Sequence, residues 1–270
     1  MKWASYHNHT TFSDGAEAPR DFLAFAEAAG VGHLGFADHY YKASPEATTA
    51  PDWALQLDAV ETYFDTIAEL KATAPETLEI VTGLEFDWLD HSAAWLAPVA
   101  ADPRLDYTIG SVHFVGSDSI DLTRTYWEKL STDEINAVTR RYWKTVCEMV
   151  SSQCFDIAGH LDLVKKFDFY PTEDMSDVIA ETLDAIADTH MTVELNTAGW
   201  RKDCRACYPT EAILRECLRR DIPVTLSSDA HQAHLVAADF DRGADLLARV
   251  GYTHIAQFRQ RERFLVPLVR

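Results

Sequence analysis

Two histidines one residue apart, His7 and His9, close the first predicted strand. Residues able to hold a metal ion then recur at the ends of later predicted strands: Asp38-His39, Glu85, His113, His160 and Asp229-x-His231. Alternate residues of a strand share a face, so His7 and His9 project to the same side. Neutral imidazoles mixed with carboxylates suit zinc, manganese or iron. A carboxylate such as Glu85 can also bridge two ions, which one imidazole cannot. Six ligand-bearing segments, each where a strand gives way to a loop, predict a multinuclear site.

Other residues bear on what such a site could bind. The segment from Glu194 to Lys202 brings Arg201 to the end of a predicted strand, and a planar guanidinium suits bidentate recognition of phosphate. Lys165-Lys166, shortly after His160, is a second candidate cation pair for an anionic substrate. Cys204-x-x-Cys207 has no second cysteine pair and no thioredoxin-like context, and is read as incidental. His33, His91, His190 and His254 lack ligand company and are read as structural or surface residues, with His234 at most at the rim. Asp87, Trp88 and Trp200 are candidate contacts for the rest of a substrate.

The elements that must position these residues alternate along the whole chain. Strands are predicted over 3–10, 33–38, 78–84, 106–112, 155–159, 192–196 and 222–226. Helices are predicted over 19–29, 53–72, 132–151, 176–188, 210–219 and 238–250, with short helical turns near 93–100. Pro19 opens the first helix with Gly30 after it, and Ser131-Thr132-Asp133-Glu134 is a capping-box pattern. Repeated β-then-α units predict parallel strands with helical crossovers. An open sheet would spread the ligand residues along an edge, whereas a barrel brings every carboxyl end to one mouth. The expected fold is therefore α/β, a distorted barrel with its metal site at the C-terminal ends of the strands.

The chain has 270 residues, 47% of them hydrophobic, enough for one domain over residues 1–270. Its net charge of −19 argues against a nucleic-acid surface, which needs clustered Lys and Arg. An anionic substrate must then be attracted locally, which divalent ions would do. No run approaches the ~20 apolar residues of a membrane span, and Met1-Lys2-Trp3 leads straight into a strand without a signal-peptide core, so a cytoplasmic protein is expected. Five cysteines without framework spacing fit reduced thiols.

Taken together, His7-Asn8-His9, Asp38-His39, Gly83-Leu84-Glu85, Ser111-Val112-His113, Gly159-His160-Leu161-Asp162, Glu194-Leu195-Asn196-Thr197 with Gly199 and Arg201, Tyr208-Pro209 and Ser227-Ser228-Asp229-Ala230-His231 resemble the PHP family, the polymerase and histidinol phosphatase group. The likeness is greatest to its stand-alone histidinol-phosphatase branch and runs over nearly the whole chain. It implies a distorted (β/α)7 TIM-like barrel and two or three divalent transition-metal ions. One ion would be held by His7, His9, Glu85 and Asp229, a second by Glu85, His113 and His160, and a third by Asp14, His39 and His231. Many members of the family have His where this chain has Asp14, in the turn Ser13-Asp14-Gly15. The related amidohydrolase barrels also begin with His-x-His, but they use a strand-four lysine where this chain has His113.

The resemblance implies a phosphomonoesterase converting L-histidinol phosphate and water to L-histidinol and inorganic phosphate. A metal-activated water would attack phosphorus in line, with Arg201 stabilising the equatorial oxygens. Proton donation to the leaving alkoxide is open between Asp229, His231 and a metal-bound water. A phosphatase or phosphodiesterase for another small phosphate ester or nucleotide is the alternative in the same fold. A non-enzymatic metal-binding module is disfavoured, because the domain stands alone without a basic groove.

Overall fold

Alternation of apolar strand runs with amphipathic helices carries through to the computed structural model, which describes residues 3–268; Met1 and Lys2 lie outside the described residues. The strands are, in chain order, β1 (Trp3–Ser5), β2 (Val31–Phe36), β3 (His39–Tyr40), β4 (Glu79–Thr82), β5 (Glu85–Asp87) and β6 (Ile109–Ser111). They continue with β7 (Phe114–Val115), β8 (Asp118–Ser119), β9 (Ile157–Ala158), β10 (Thr192–Asn196), β11 (Val224–Ser227), β12 (His254–Arg259) and β13 (Glu262–Pro267). The helices are α1 (Phe22–Ala28), α2 (Val60–Thr73), α3 (Ala93–Ala100), α4 (Arg124–Glu128), α5 (Thr132–Ser151), α6 (Ser176–Asp188), α7 (Glu211–Arg219) and α8 (Phe240–Val250).

Two parallel sheets result, one ordered β1-β2-β4 and one ordered β11-β10-β9-β6-β5-β3. They are joined twice by direct continuation of the chain, β2 into β3 and β4 into β5. Tyr107 lies against Gly35 and Gly83, where any side chain would collide with its ring. Its hydroxyl donates to the carbonyls of Tyr6 and Phe36. At these breaks the chain leaves one ladder and presents His39 and Glu85 side by side, paired in register between β3 and β5.

The first strand ends sooner than its apolar pattern predicts. Beyond Ser5 the Asn8 amide donates to the carbonyls of Gly35, at 2.8 Å, and Ser5, at 3.2 Å, taking over bonds a regular ladder would make. Pairing resumes at a single parallel bridge from Asn8 to Ala230. His7 and His9 therefore flank a fixed point between the first and the last parallel segments. The expected helix over 53–72 begins only at Val60; Trp53 instead packs edge-on to His39, with ring centroids 5.4 Å apart.

Helix ends follow local chemistry where the sequence signalled it. Ser131 caps α5, accepting from the Glu134 amide, while the Glu134 carboxylate accepts from the Ser131 amide at 2.8 Å. The β12–β13 hairpin and the short β7–β8 pair were not legible. The β12–β13 loop is two residues, Gln260-Arg261, both with positive φ, +50° and +64°. Such a turn usually announces itself as Asn-Gly.

The core has two parts. The larger fills the space between helices and sheets, with Trp3, Phe22, Leu34, Ile67, Trp143, Leu183, Leu214 and Leu247 among its buried members. A smaller cluster joins Ala4, Tyr6, Val81, Tyr107, Ile109, Ile157 and Phe258, drawn from strands of both sheets and from β12. Along β1 the alternation is direct: Trp3 packs outward on the helices and Ala4 inward.

Candidate metal centre

The side chains at the strand ends converge around one carboxylate. Glu85, fully buried at the start of β5, turns Oε1 to His160 Nε2 at 2.9 Å, His7 Nε2 at 3.2 Å and His113 Nε2 at 3.7 Å. Its other oxygen faces His39 Nδ1 at 2.9 Å and His9 Nε2 at 3.6 Å. Five imidazoles thus surround two oxygens. Burial alone would push the Glu85 carboxyl up, but His7, His39 and His113 hold it well below the usual carboxylate range. Asp229, just after β11, lies 3.4 Å from His9 Nε2 and 3.5 Å from His231 Nδ1, and is held ionised in the same way. Its backbone is left-handed, φ +52°, a conformation Asp tolerates better than most residues.

A second layer of carboxylates aims the rings. His7 Nδ1 donates to Glu194 Oε1 at 2.7 Å, His113 Nδ1 to Asp87 Oδ1 at 2.7 Å, and His39 Nδ1 lies 3.2 Å from Asp87 Oδ2. In His7 and His113, fixing Nδ1 in this way leaves Nε2 with its lone pair turned inward, the arrangement by which carboxylates orient metal-binding histidines, while His39 shares Nδ1 between Asp87 and Glu85. Glu194 is itself locked by Ser227 Oγ at 2.5 Å, the His160 amide at 2.8 Å and Asn196 Nδ2 at 3.0 Å. Sequence reading named Asp87 only as a candidate substrate contact and Glu194 only within a motif, and assigned the bracing role to neither. The available signal was Asp87 two residues beyond Glu85 on the same strand face, and Glu194 on an otherwise apolar buried strand.

Asp38 does not join the cluster although it precedes His39. Its carboxylate accepts from the Thr10 amide at 2.8 Å and from Ser13 Oγ at 2.6 Å, tying down the loop that carries His9 and Asp14. That loop sets Asp14 Oδ2 3.2 Å from His231 Nε2, on the open side of the site. His7 and His9 are wholly buried, whereas the side chains of Asp14 and His231 are 35% and 38% exposed.

Divalent metal ions fit this donor set. His7 Nε2, both nitrogens of His9, Glu85 Oε2 and His160 Nδ1 are buried and lack a hydrogen-bond partner among the described residues. Leaving a buried polar atom unpaired costs about 1–3 kcal/mol, so those that face the cluster, His7 Nε2 and His9 Nε2 beside Glu85, point to partners other than protein. His113 Nε2 and His160 Nε2 approach to 3.1 Å, two ring nitrogens aimed at a common point. Several sets present ligand atoms all within 4.8 Å of one another: His9, Asp14, His39 and His231; His7, His9 and Glu85; His7, His160 and Asp229; and Glu85, His113 and His160.

Above the cluster opens a cavity of about 550 Å³. Asp14, His39, Glu85, His113, His160, Asp229 and His231 face it, with Lys166 and Arg201 on its walls. Arg201 is held by Asp239 Oδ2 at 2.8 Å and the Ser228 carbonyl at 2.7 Å. Lys166 donates to the Asp121 carbonyl at 2.7 Å and to its carboxylate at 3.1 Å. Lys165 is placed differently from its neighbour. It is buried, donates to Asp162 Oδ2 at 2.6 Å, and lies over the Tyr208 ring behind the cavity wall.

The three candidate contacts for the rest of a substrate also separate. Asp87 is occupied by His39 and His113, Trp88 is core packed against Phe155, and Trp200 carries Arg242 over its ring at 4.0 Å. Cys204 and Cys207 are buried free thiols, donating to the carbonyls of Gly199 and Pro209, and serve to pin the loop after β10.

A parallel α/β scaffold carrying a polyhistidine and carboxylate cluster at its strand ends defines a metal-dependent hydrolase class. Residues 5–198 match the PHP domain model. The chain is 32% identical over 263 residues to a probable histidinol-phosphatase of Deinococcus radiodurans, covering 95% of this chain and 96% of that one. It is 29% identical over 252 residues to the histidinol-phosphatase of Bacillus subtilis, covering 84% and 92%. Its fold matches the crystal structure of a histidinol phosphate phosphatase from Lactococcus lactis, complexed with zinc, L-histidinol and phosphate, with a TM-score of 0.78, 24% identity and coverage of 97% and 99%. The chain belongs to the PHP-domain family.

Proposed function

We propose that this protein is a metal-dependent phosphomonoesterase that converts L-histidinol phosphate and water to L-histidinol and inorganic phosphate. The observation that carries the reading is the placement of Lys166 and Arg201 on the walls of the one cavity that the inward-facing histidines and carboxylates share. The near full-length similarity to histidinol-phosphatases supports the choice of substrate.

In this reading one ion is held by His7, His9, Glu85 and Asp229, a second by Glu85, His113 and His160, and a third by Asp14, His39 and His231. The donor chemistry suits zinc, manganese or iron. When bound, such ions supply Lewis acidity and a water acidified toward neutral pH. Glu85 would serve two ions at once, since its two oxygens divide five imidazoles between them. Arg201 and Lys166 grip the non-bridging phosphate oxygens as negative charge builds on them. Asp229, His231 and a water held at the cluster are the candidates to return a proton to the leaving alkoxide oxygen.

The same reading closes the two sheets into a seven-stranded barrel and treats residues 1–270 as one catalytic domain. The Asn8–Ala230 bridge between the first and last parallel segments supports closure, as does the inner cluster that draws on both sheets. No helix among the described residues is long and apolar enough to cross a membrane, in keeping with a cytoplasmic enzyme of small-molecule metabolism.

A panel of phosphate esters tests the reading. L-Histidinol phosphate should exceed p-nitrophenyl phosphate in kcat/KM by orders of magnitude, because a site that also grips the rest of the substrate uses that binding in the transition state. Comparable rates on several unrelated esters would leave the metal phosphatase standing and remove the substrate.

A further inference from the structure

Beside the metal cavity, a groove is lined by more cations than acids. Over a chain of net charge −19, most arginines are tied to carboxylates, as Arg104 is to Glu61 and Asp102, Arg140 to Asp177 and Arg259 to Glu79. The turn that follows β10 breaks this habit. Lys202 and Arg205 have no carboxylate within ion-pairing distance among the described residues, and both are exposed. They line a groove of about 590 Å³ together with Arg124 and Arg201, against two acids, Asp168 and Asp203.

Asp203 is already engaged by Arg124, at 2.8 Å, which leaves Asp168 as the unmatched acid of the groove. Arg201 and Lys202 line this groove and the metal cavity alike, so the two spaces share a wall. Beyond Trp200, Arg205 and Arg242 face a further cavity of about 560 Å³, and Arg242 meets the Trp200 ring rather than a carboxylate.

We propose that this groove is an outer anion subsite, in which Lys202 and Arg205 capture the phosphate group of an incoming ester before Arg201 passes it to the metal cavity. The argument is electrostatic. An acidic protein repels a dianion at long range, and a local excess of positive charge beside the reactive cavity reverses that field where it matters for encounter. Exposed cations without carboxylate partners offer a ligand their full charge, whereas in paired ones part of the charge is already offset. The proposal rests on the phosphate-ester reading for its substrate, but the anion binding itself does not.

The test compares wild type with the double variant Lys202→Ala/Arg205→Ala, metal content being checked in both. Capture predicts that kcat/KM for whichever phosphate ester is turned over falls about tenfold at low ionic strength while kcat changes less than twofold. The difference should close as salt screens the groove, toward 0.5 M or above. Charge reversal at both positions should deepen the loss. Unchanged kcat/KM and an unchanged salt slope in active enzyme would overturn the subsite and leave the phosphatase untouched. A calorimetric titration with inorganic phosphate decides the case if no ester is turned over: loss of one bound phosphate in the double variant supports the subsite, and equal uptake overturns it.

Discussion

His7, His39 and His113 at the floor of the cavity each turn Nδ1 to a buried carboxylate, Glu194 or Asp87, whereas Lys202 and Arg205 at its rim meet no carboxylate partner among the described residues. The difference follows from dielectric environment. A buried charge is costly unless it is paired, so carboxylates cross-brace the floor, and the buried ligand atoms left without a protein partner are those that metal ions would answer. At the rim water answers the charges at little expense, and the side chains stay free to meet a ligand. Changes at the floor should therefore register as lost metal or lost stability, and changes at the rim as altered substrate capture.

The strongest break in that comparison should come from Glu85→Gln. The amide keeps the shape but removes the charge that five imidazoles face. Elemental analysis should show loss of bound metal, and activity should fall on the order of a thousandfold or more. Retention of both would dissolve the cluster as drawn.

Lys165→Ala sharpens the division, because sequence alone grouped Lys165 with Lys166 as a substrate contact. Its buried ion pair with Asp162 places it with the floor, so truncation should lower the free energy of unfolding by about 3–5 kcal/mol. Denaturant titration reads this directly; a raised KM with unchanged stability would move Lys165 back to the substrate.

Arg201→Ala should remove about 2–4 kcal/mol of transition-state stabilisation with metal content intact, since a guanidinium does not ligate a cation. Near-normal kcat/KM would assign Arg201 to holding Asp239 and Ser228 alone. Smaller again, Glu194→Gln should weaken metal affinity about 10- to 100-fold by loosening His7. A metal titration that matched wild type would show that the bracing carboxylate has no bearing on the floor.

The sequence by itself determined the alternation of strands and helices, the parallel class of fold and nearly every residue of the cluster. Ligand-type side chains at strand ends are legible because strand periodicity and apolar flanks mark where each strand stops. His7, Glu85, His113, His160 and Asp229 could be named on that basis alone. Only the tertiary structure decided which neighbours share a role. Asp38 beside His39 serves a loop, Lys165 beside Lys166 serves the interior, and Asp87 and Glu194 brace rings from other strands, because hydrogen bonds between residues 26 to 187 positions apart leave no local pattern. The need for glycine at positions 35 and 83 comes from Tyr107, far along the chain, whose ring fills the space beside both. The closing hairpin escaped for the opposite reason: its Gln260-Arg261 turn takes a backbone shape that those residue types do not advertise, and the pairing of β12 with β13 imposes it.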